Sequence, residues 1–146
     1  MSNPIQPILN VTSTGDKIVM YACSQQGQPY VWGAGTFTGP SAGLPGEPGI
    51  GFDCSGLVRF AVYQGSGGRI QMPRTTYDQI NVGAAVASLE QAIAGDLIFC
   101  NFSAPGVPEH VQIYMGGGRV VEAPQRGDVV KISSVGAGEM TIRRVF

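Results

Sequence analysis

Residues 52–63 read Phe-Asp-Cys-Ser-Gly-Leu-Val-Arg-Phe-Ala-Val-Tyr, and this stretch decides how the rest of the chain is interpreted. Asp53 is a preferred helix N-cap residue. The apolar residues after it repeat at the spacing of one buried helix face: Leu57, Val58, Ala61 and Val62. Cys54 therefore lies in the first turn of a predicted helix, where unpaired backbone N–H groups favour a thiolate. Two interpretations follow: Cys54 is a nucleophile, or it is a small buried hydrophobic residue that begins a core helix.

The composition is that of one folded domain without a dominant charge. The chain has 146 residues, of which 43% are hydrophobic and 13% charged, and its formal net charge is −1. A nucleic-acid binder or a polybasic membrane protein would show a basic excess. No apolar run approaches the roughly 20 residues that span a bilayer. We therefore expect a single domain over residues 1–146, taken as a monomer, with no nucleic-acid or membrane partner.

The N-terminal segment and the cysteines exclude further features. Residues 1–11 are polar and contain proline, so an extended arm is predicted there. They lack the basic and apolar regions of a signal peptide. Three cysteines without a Cys-x-x-Cys pair argue against a disulfide framework and against a structural metal. We expect neither a metal nor a cofactor.

The apolar pattern is helical in the first half of the chain and alternating in the second. A helix is predicted over 14–25, and a second begins at Cys54. After residue 95 the pattern predicts about five short strands, with the glycines at 116–118 as a hairpin turn. Helices followed by hairpin-linked strands indicate an α+β fold, in which N-terminal helices pack on a central antiparallel sheet.

A long loop precedes the cysteine helix. Residues 33–51 hold seven glycines and three prolines, so no regular strand is expected there. The loop leads directly to Asp53 and Cys54, and it either borders the site or is only a solvated connection. Trp32, just before it, is expected mainly as a core anchor. Tyr30 can both pack and donate a hydrogen bond.

A nucleophilic cysteine needs a base, and the base needs an orienting group. His110 is the only histidine, and it begins a strand in which it points away from the face that carries Val111 and Ile113. Folding the hairpin sets Glu122 opposite residues 110–112, so a carboxylate can reach the imidazole. Each residue alone is more often a solvated or locally bonded side chain. The three together fit an acyl-transfer cysteine hydrolase.

The ordered motifs resemble the NlpC/P60 family of cell-wall cysteine peptidases over about residues 14–135. They are Pro-Tyr-Val-Trp-Gly at 29–33, Phe-Asp-Cys-Ser-Gly-Leu at 52–57, Pro-Arg-Thr at 73–75, Gly-Asp-Leu-Ile-Phe at 95–99, His-Val-Gln-Ile-Tyr at 110–114 and Glu-Ala-Pro at 122–124. The resemblance implies a papain-like core. It also implies hydrolysis of peptidoglycan stem peptides, commonly at the D-γ-glutamyl–diaminopimelate amide.

The resemblance also implies roles for single residues. Cys54 corresponds to the nucleophile, His110 to the base and Glu122 to the third catalytic member. Many members have histidine in that third position, and glutamate resembles the variant of actinobacterial hydrolases and related phage enzymes. The residues expected to contact substrate are Tyr30, Asp53 and Ser55. The 33–51 loop is longer than the link usual in the family, so it is expected either to cover the cleft or to leave it open.

Arg74 is a further candidate from its chemistry, because a guanidinium can clamp a carboxylate with two hydrogen bonds. Its alternative is a surface arginine that caps local backbone. For the whole chain two other functions stay open. One is an amidase or acyl-transfer enzyme that uses the same Cys54–His110 pair. The other is a non-catalytic wall-binding or virion module. With no signal peptide in the chain, we expect action on the bacterial wall outside the cytoplasm or after phage delivery.

Overall fold

The computed structural model describes residues 13–146, so the arm predicted over 1–11 lies outside the described residues. The helices are α1 (Thr14–Cys23), α2 (Cys54–Gly65) and α3 (Thr76–Gln79), with a single 3₁₀ turn at Leu89–Gln91. The strands are β1 (Ser41–Ala42), β2 (Ile50–Gly51), β3 (Ala84–Val86), β4 (Leu97–Ala104), β5 (Val107–Gly116), β6 (Arg119–Glu122), β7 (Lys131–Ser134) and β8 (Thr141–Arg144). No helix in the described part of the chain is long and apolar enough to cross a membrane.

Both main helices begin where the sequence places a capping side chain. Ser13 accepts a hydrogen bond from the backbone N–H of Asp16 at 3.1 Å, and Asp53 accepts one from Gly56 at 2.7 Å. The helix predicted over 14–25 is α1, two residues shorter at its C-terminal end. Capping satisfies backbone donors that otherwise lack partners in the first turn, so these two side chains fix where each helix starts.

The central sheet has six antiparallel strands in the order β3-β8-β4-β5-β6-β7. The α+β prediction is confirmed, and the predicted glycine turn joins β5 to β6. The sixth strand, β3, was missed because Ala84-Ala85-Val86 is short, exposed and poor in β-branched residues. The prediction that 33–51 contains no strand was also wrong. β1 and β2 form a two-residue antiparallel ladder inside that loop.

Two apolar clusters lie on the two faces of the sheet. On one face Val111, Ile113 and other strand residues pack with Ile18 of α1 and Leu57 of α2. The other face carries Ile98, Tyr114, Val120 and Ile142. Successive residues of a strand point to opposite faces. Because Val111 and Ile113 face the helices, the alternation directs His110 and Gln112 to the opposite face.

Candidate active site

Cys54 is the first residue of α2 and lies nearly buried, with 9% of its surface exposed. The start of α2 packs against the backbone at Ala34, where the N–H of Asp53 donates to the Ala34 carbonyl oxygen at 3.0 Å. Gly56 makes this close packing possible, because a Cβ there would collide with the same oxygen. The thiol is therefore held at a helix N-terminus, where the partial positive charge of the helix dipole lies.

Arg74 and Asp53 form a hydrogen-bonded ion pair beside this thiol. The guanidinium donates to both carboxylate oxygens of Asp53, at 3.1 and 3.0 Å, and to the hydroxyl of Ser55 at 2.8 Å. It also donates to the carbonyl oxygen of Ala34 at 3.2 Å. Asp53 further accepts a hydrogen bond from the Gly33 backbone at 2.9 Å. Arg74 therefore mainly positions the start of α2. Contact of Arg74, Asp53 and Ser55 with substrate stays a prediction.

His110 and Glu122 form a buried pair on neighbouring strands. The β5–β6 register pairs Ile113 with Val121, and its continuation by one residue sets Glu122 opposite Gln112. His110, two residues along on the same face, places Nε2 2.7 Å from Glu122 Oε1. Gln112 donates to that oxygen at 2.9 Å. The predicted reach of a carboxylate to the imidazole is confirmed.

The pair has strongly displaced pKa values. Burial alone would lower the pKa of His110, but hydrogen bonds with Cys54 and Glu122 outweigh it and raise the pKa from 6.5 to about 9. Burial would raise the pKa of Glu122, yet hydrogen bonds from His110, Gln112 and Ser133 lower it to about 2. At neutral pH the imidazole is therefore protonated and the carboxylate ionised. Because Nε2 is bonded to Glu122, Nδ1 is the ring nitrogen left for the thiol.

Cys54 lines a cleft of about 230 Å³. Tyr30 lines the cleft, and burial first, then the negative charges of Cys54 and Asp53, raise its pKa to about 12, so the phenol stays a donor. Leu44 of the 33–51 loop lines it as well. Trp32 is not the core anchor expected from the sequence: it is 45% exposed and faces the cleft. Its ring instead packs under the guanidinium of Arg126.

Sequence reasoning missed several residues of this region. The cleft also holds Thr76, Tyr77 and Glu109, and Gln112 donates to the same oxygen of Glu122 that His110 contacts. Only Gln112 carries a sequence signal, because the alternation of β5 sets it on the same face as His110. A second cavity of about 540 Å³ borders the His110–Glu122 pair. No group of three or more His, Cys, Asp or Glu side chains within residues 13–146 is placed to hold a metal ion.

A cysteine at a helix start, set against a sheet that carries histidine and glutamate, has the arrangement of a papain-like α+β domain. The NlpC/P60 family model matches residues 27–145, and the chain belongs to the NlpC/P60 family. RipB, a peptidoglycan endopeptidase of Mycobacterium tuberculosis, is 41% identical over 136 residues, which are 92% of this chain and 54% of RipB. The peptidoglycan endopeptidase RipA of the same organism is 39% identical over 125 residues, 85% of this chain and 25% of RipA.

Solved structures show the same fold. The M. tuberculosis peptidoglycan hydrolase RipB superposes with a TM-score of 0.79 at 36% identity, over 99% of this chain and 73% of that structure. RipD of the same organism, described as a non-catalytic NlpC/p60 domain protein adapted to peptidoglycan binding, gives a TM-score of 0.78 at 34% identity over 92% of this chain and 99% of that structure. The chain spans about half the length of RipB as a whole.

Proposed function

We propose that the protein is a cysteine endopeptidase that cleaves an amide bond of the peptidoglycan stem peptide, at D-γ-glutamyl–diaminopimelate. The observation that carries this proposal is the position of His110, whose Nε2 lies 2.7 Å from Glu122 Oε1 and whose pKa is raised by its interactions with Cys54 and Glu122. In this arrangement Cys54 is the nucleophile, His110 carries the proton and Glu122 orients His110. Membership in a family whose relatives RipB and RipA are peptidoglycan endopeptidases supports the choice of substrate.

The reaction has two steps on these residues. The Cys54 thiolate attacks the amide carbonyl carbon, and the imidazolium of His110 donates its Nδ1 proton to the leaving amine. The acyl group then remains on sulfur as a thioester. Neutral His110 next takes one proton from water, whose oxygen attacks the thioester. The C–S bond then breaks, which frees the thiolate and the carboxylic acid, and the acid loses its proton to solvent. Glu122 remains ionised throughout and stabilises the imidazolium.

The negative oxygen of each tetrahedral intermediate needs fixed donors. The backbone N–H of Cys54, at the first turn of α2, is one donor, and the phenol of Tyr30 is the second. The high pKa of Tyr30 keeps its proton in place. Loss of one such donor typically costs a factor of about 100 to 1,000 in rate. No step requires a metal or an organic cofactor.

The experiment compares wild type with Cys54→Ala on purified peptidoglycan. Cys23→Ala is the matched control, because Cys23 is a half-buried thiol on α1 that the mechanism does not use. We expect wild type and Cys23→Ala to release soluble stem-peptide fragments and Cys54→Ala to release none. Release by Cys54→Ala at the wild-type rate would end the proposal.

The likeness to RipD, which is described as non-catalytic, favours a second candidate: binding of peptidoglycan without cleavage. This chain keeps Cys54, His110 and Glu122, with the imidazole hydrogen-bonded to the carboxylate, and binding alone does not need this arrangement. Sedimentation with insoluble peptidoglycan separates the two functions. Retention of wild type without released fragments would support the binding module. Fragments from a bond other than the stem-peptide amide would instead indicate an amidase with the same Cys54–His110 pair.

A further inference from the structure

Glu109 lies directly before His110 on β5 and lines the same cleft as Cys54. Although exposed, its carboxylate is held on both sides. The Tyr77 hydroxyl donates to Oε1 at 2.6 Å, and the Ser103 hydroxyl donates to Oε2 at 2.6 Å. Long side chains on a surface usually sample several rotamers, whereas these two short bonds fix one orientation.

Further hydrogen bonds join α3 to β5 on the side of the cleft that carries Glu109. Thr76 of α3 donates to the carbonyl oxygen of Pro108 at 2.8 Å, next to the Tyr77–Glu109 bond. Two successive residues of α3 are thus bonded to two successive residues of β5. Because the sheet also carries His110, the carboxylate keeps a constant position relative to the reacting groups.

The side chain of Glu109 is negatively charged. Hydrogen bonds from Ser103 and Tyr77 lower its pKa, so it is ionised at neutral pH. Asp53, the other carboxylate that lines the cleft, is paired with Arg74. Among residues 13–146 the ion pairs shorter than 4 Å do not include Glu109. The cleft therefore presents one fixed, uncompensated carboxylate to whatever enters it.

The rest of the cleft suits an aliphatic chain. Trp32, Leu44 and Tyr77 line it with 45%, 50% and 47% of their surfaces exposed. The ring of Tyr77 lies beside the carboxylate that its hydroxyl orients. An aromatic ring next to a carboxylate is a favourable environment for an ammonium group, because both attract positive charge.

We propose that Glu109, oriented by Tyr77 and Ser103, is a specificity residue that binds an ammonium group of the stem peptide. This inference rests on the proposed function and deepens it. A stem peptide offers two such groups: the side-chain amine of the diamino acid residue, and the free N-terminal amine of a peptide released from its glycan. Both are ammonium groups at neutral pH, and both are joined to aliphatic carbon.

Three synthetic peptides separate these sources. The first is L-Ala-D-γ-Glu-diaminopimelate, the second has 2-aminopimelate in place of the diamino acid, and the third has propionyl in place of the N-terminal alanyl group. Each replacement removes one amine and leaves the carbon chain in place. Values of kcat and KM are measured for wild type, Glu109→Gln and Tyr77→Phe. The matched control is Glu90→Gln, which removes an exposed carboxylate on the 3₁₀ turn.

We expect wild type to prefer the full peptide over one of the two analogues by roughly five- to tenfold in kcat/KM, mainly through KM. Glu109→Gln should bring that ratio close to one without changing kcat by more than about twofold. Tyr77→Phe should reduce the ratio in part, and Glu90→Gln should keep it. Raised salt should weaken the wild-type preference. The analogue that wild type cleaves less efficiently than the full peptide lacks the amine that Glu109 binds.

Two results would overturn this inference and leave the proposed function intact. One is a wild type that cleaves all three peptides equally well, and the other is a Glu109→Gln variant that keeps the wild-type ratio of kcat/KM values. A fall in kcat with an unchanged ratio would also overturn it, since that would indicate a disturbed His110. A wild type that cleaves none of the peptides would remove the proposed function and this inference together.

Discussion

Replacement of Glu122 by glutamine tests the electrostatics of the site most closely. The substitution keeps the shape of the side chain and leaves an amide oxygen that can accept the hydrogen bond from Nε2 of His110. It removes the negative charge that lies 2.7 Å from that nitrogen. A loss of activity would therefore report the charge rather than a missing side chain.

The size of the effect follows from the pKa of His110. Burial alone would lower this pKa, yet hydrogen bonds with Cys54 and Glu122 raise it from 6.5 to about 9. Without the charge of Glu122, only Cys54 raises the pKa of His110. We expect that pKa to be lower than in wild type by about one unit, which corresponds to about 1.4 kcal/mol. The imidazolium donates the proton to the leaving amine, so activity falls as pH rises through the pKa of His110. The basic limb of kcat/KM should lie near pH 9 in wild type and about one unit lower in Glu122→Gln.

The assay is the cleavage rate of a defined stem peptide from pH 5 to 10. At neutral pH we also expect kcat of Glu122→Gln to fall on the order of 100-fold or more, because the imidazolium is less stabilised and less well oriented. Glu139→Gln is the control, since Glu139 borders the neighbouring cavity but forms no bond to His110. A Glu122→Gln variant with the wild-type basic limb and rate would refute the assignment of Glu122.

Three further outcomes are expected. Folding raises the pKa of His110 from 6.5 to about 9 and lowers that of Glu122 from 4.5 to about 2, so the pair stabilises the fold fully between about pH 4.5 and 6.5. In thermal melts the Tm difference between wild type and Glu122→Gln should be largest there and shrink as pH falls towards 2 or rises through 9; a constant difference would contradict this. Gly56→Ala should destabilise the fold by about 2 kcal/mol or more in urea unfolding, because its Cβ collides with a backbone oxygen, whereas a neutral effect would show that the helix start can shift. Arg74→Ala should cost about 1–3 kcal/mol and lower activity together with stability, because it leaves Asp53 without its cation; full stability with reduced substrate binding would indicate a direct substrate role.

Local chemistry made much of the site predictable from the sequence. Asp53 marks the helix start because short acidic side chains cap helices, and this places Cys54 in the first turn. The alternation of β5 and the glycine turn after it determine which face His110 and Glu122 share. These features depend on neighbouring residues or on one hairpin, so the pattern alone contains them.

The rest depends on contacts between distant segments. Arg74 meets Asp53 across 21 positions of the chain, and Tyr77 meets Glu109 across 32. No periodicity contains such pairings, and so the sequence leaves Arg74 either as a clamp for a substrate carboxylate or as a surface arginine that caps local backbone. Trp32 was expected in the core because large aromatic residues are usually buried, whereas its position beside the cleft depends on the path of the following loop. β3 escaped notice because its pairing with β8, rather than its composition, makes it a strand.

The products formed from one defined peptide report both which bond is cut and whether Cys54 is needed. The tetrapeptide L-Ala-D-γ-Glu-diaminopimelyl-D-Ala is incubated in ¹⁸O-labelled water with wild type or Cys54→Ala, and the fragments are weighed by mass spectrometry. We predict L-Ala-D-Glu with one labelled oxygen, together with diaminopimelyl-D-Ala, from wild type, and intact peptide from Cys54→Ala. Cleavage by Cys54→Ala, or wild-type fragments that place the cut at another bond, would contradict this account.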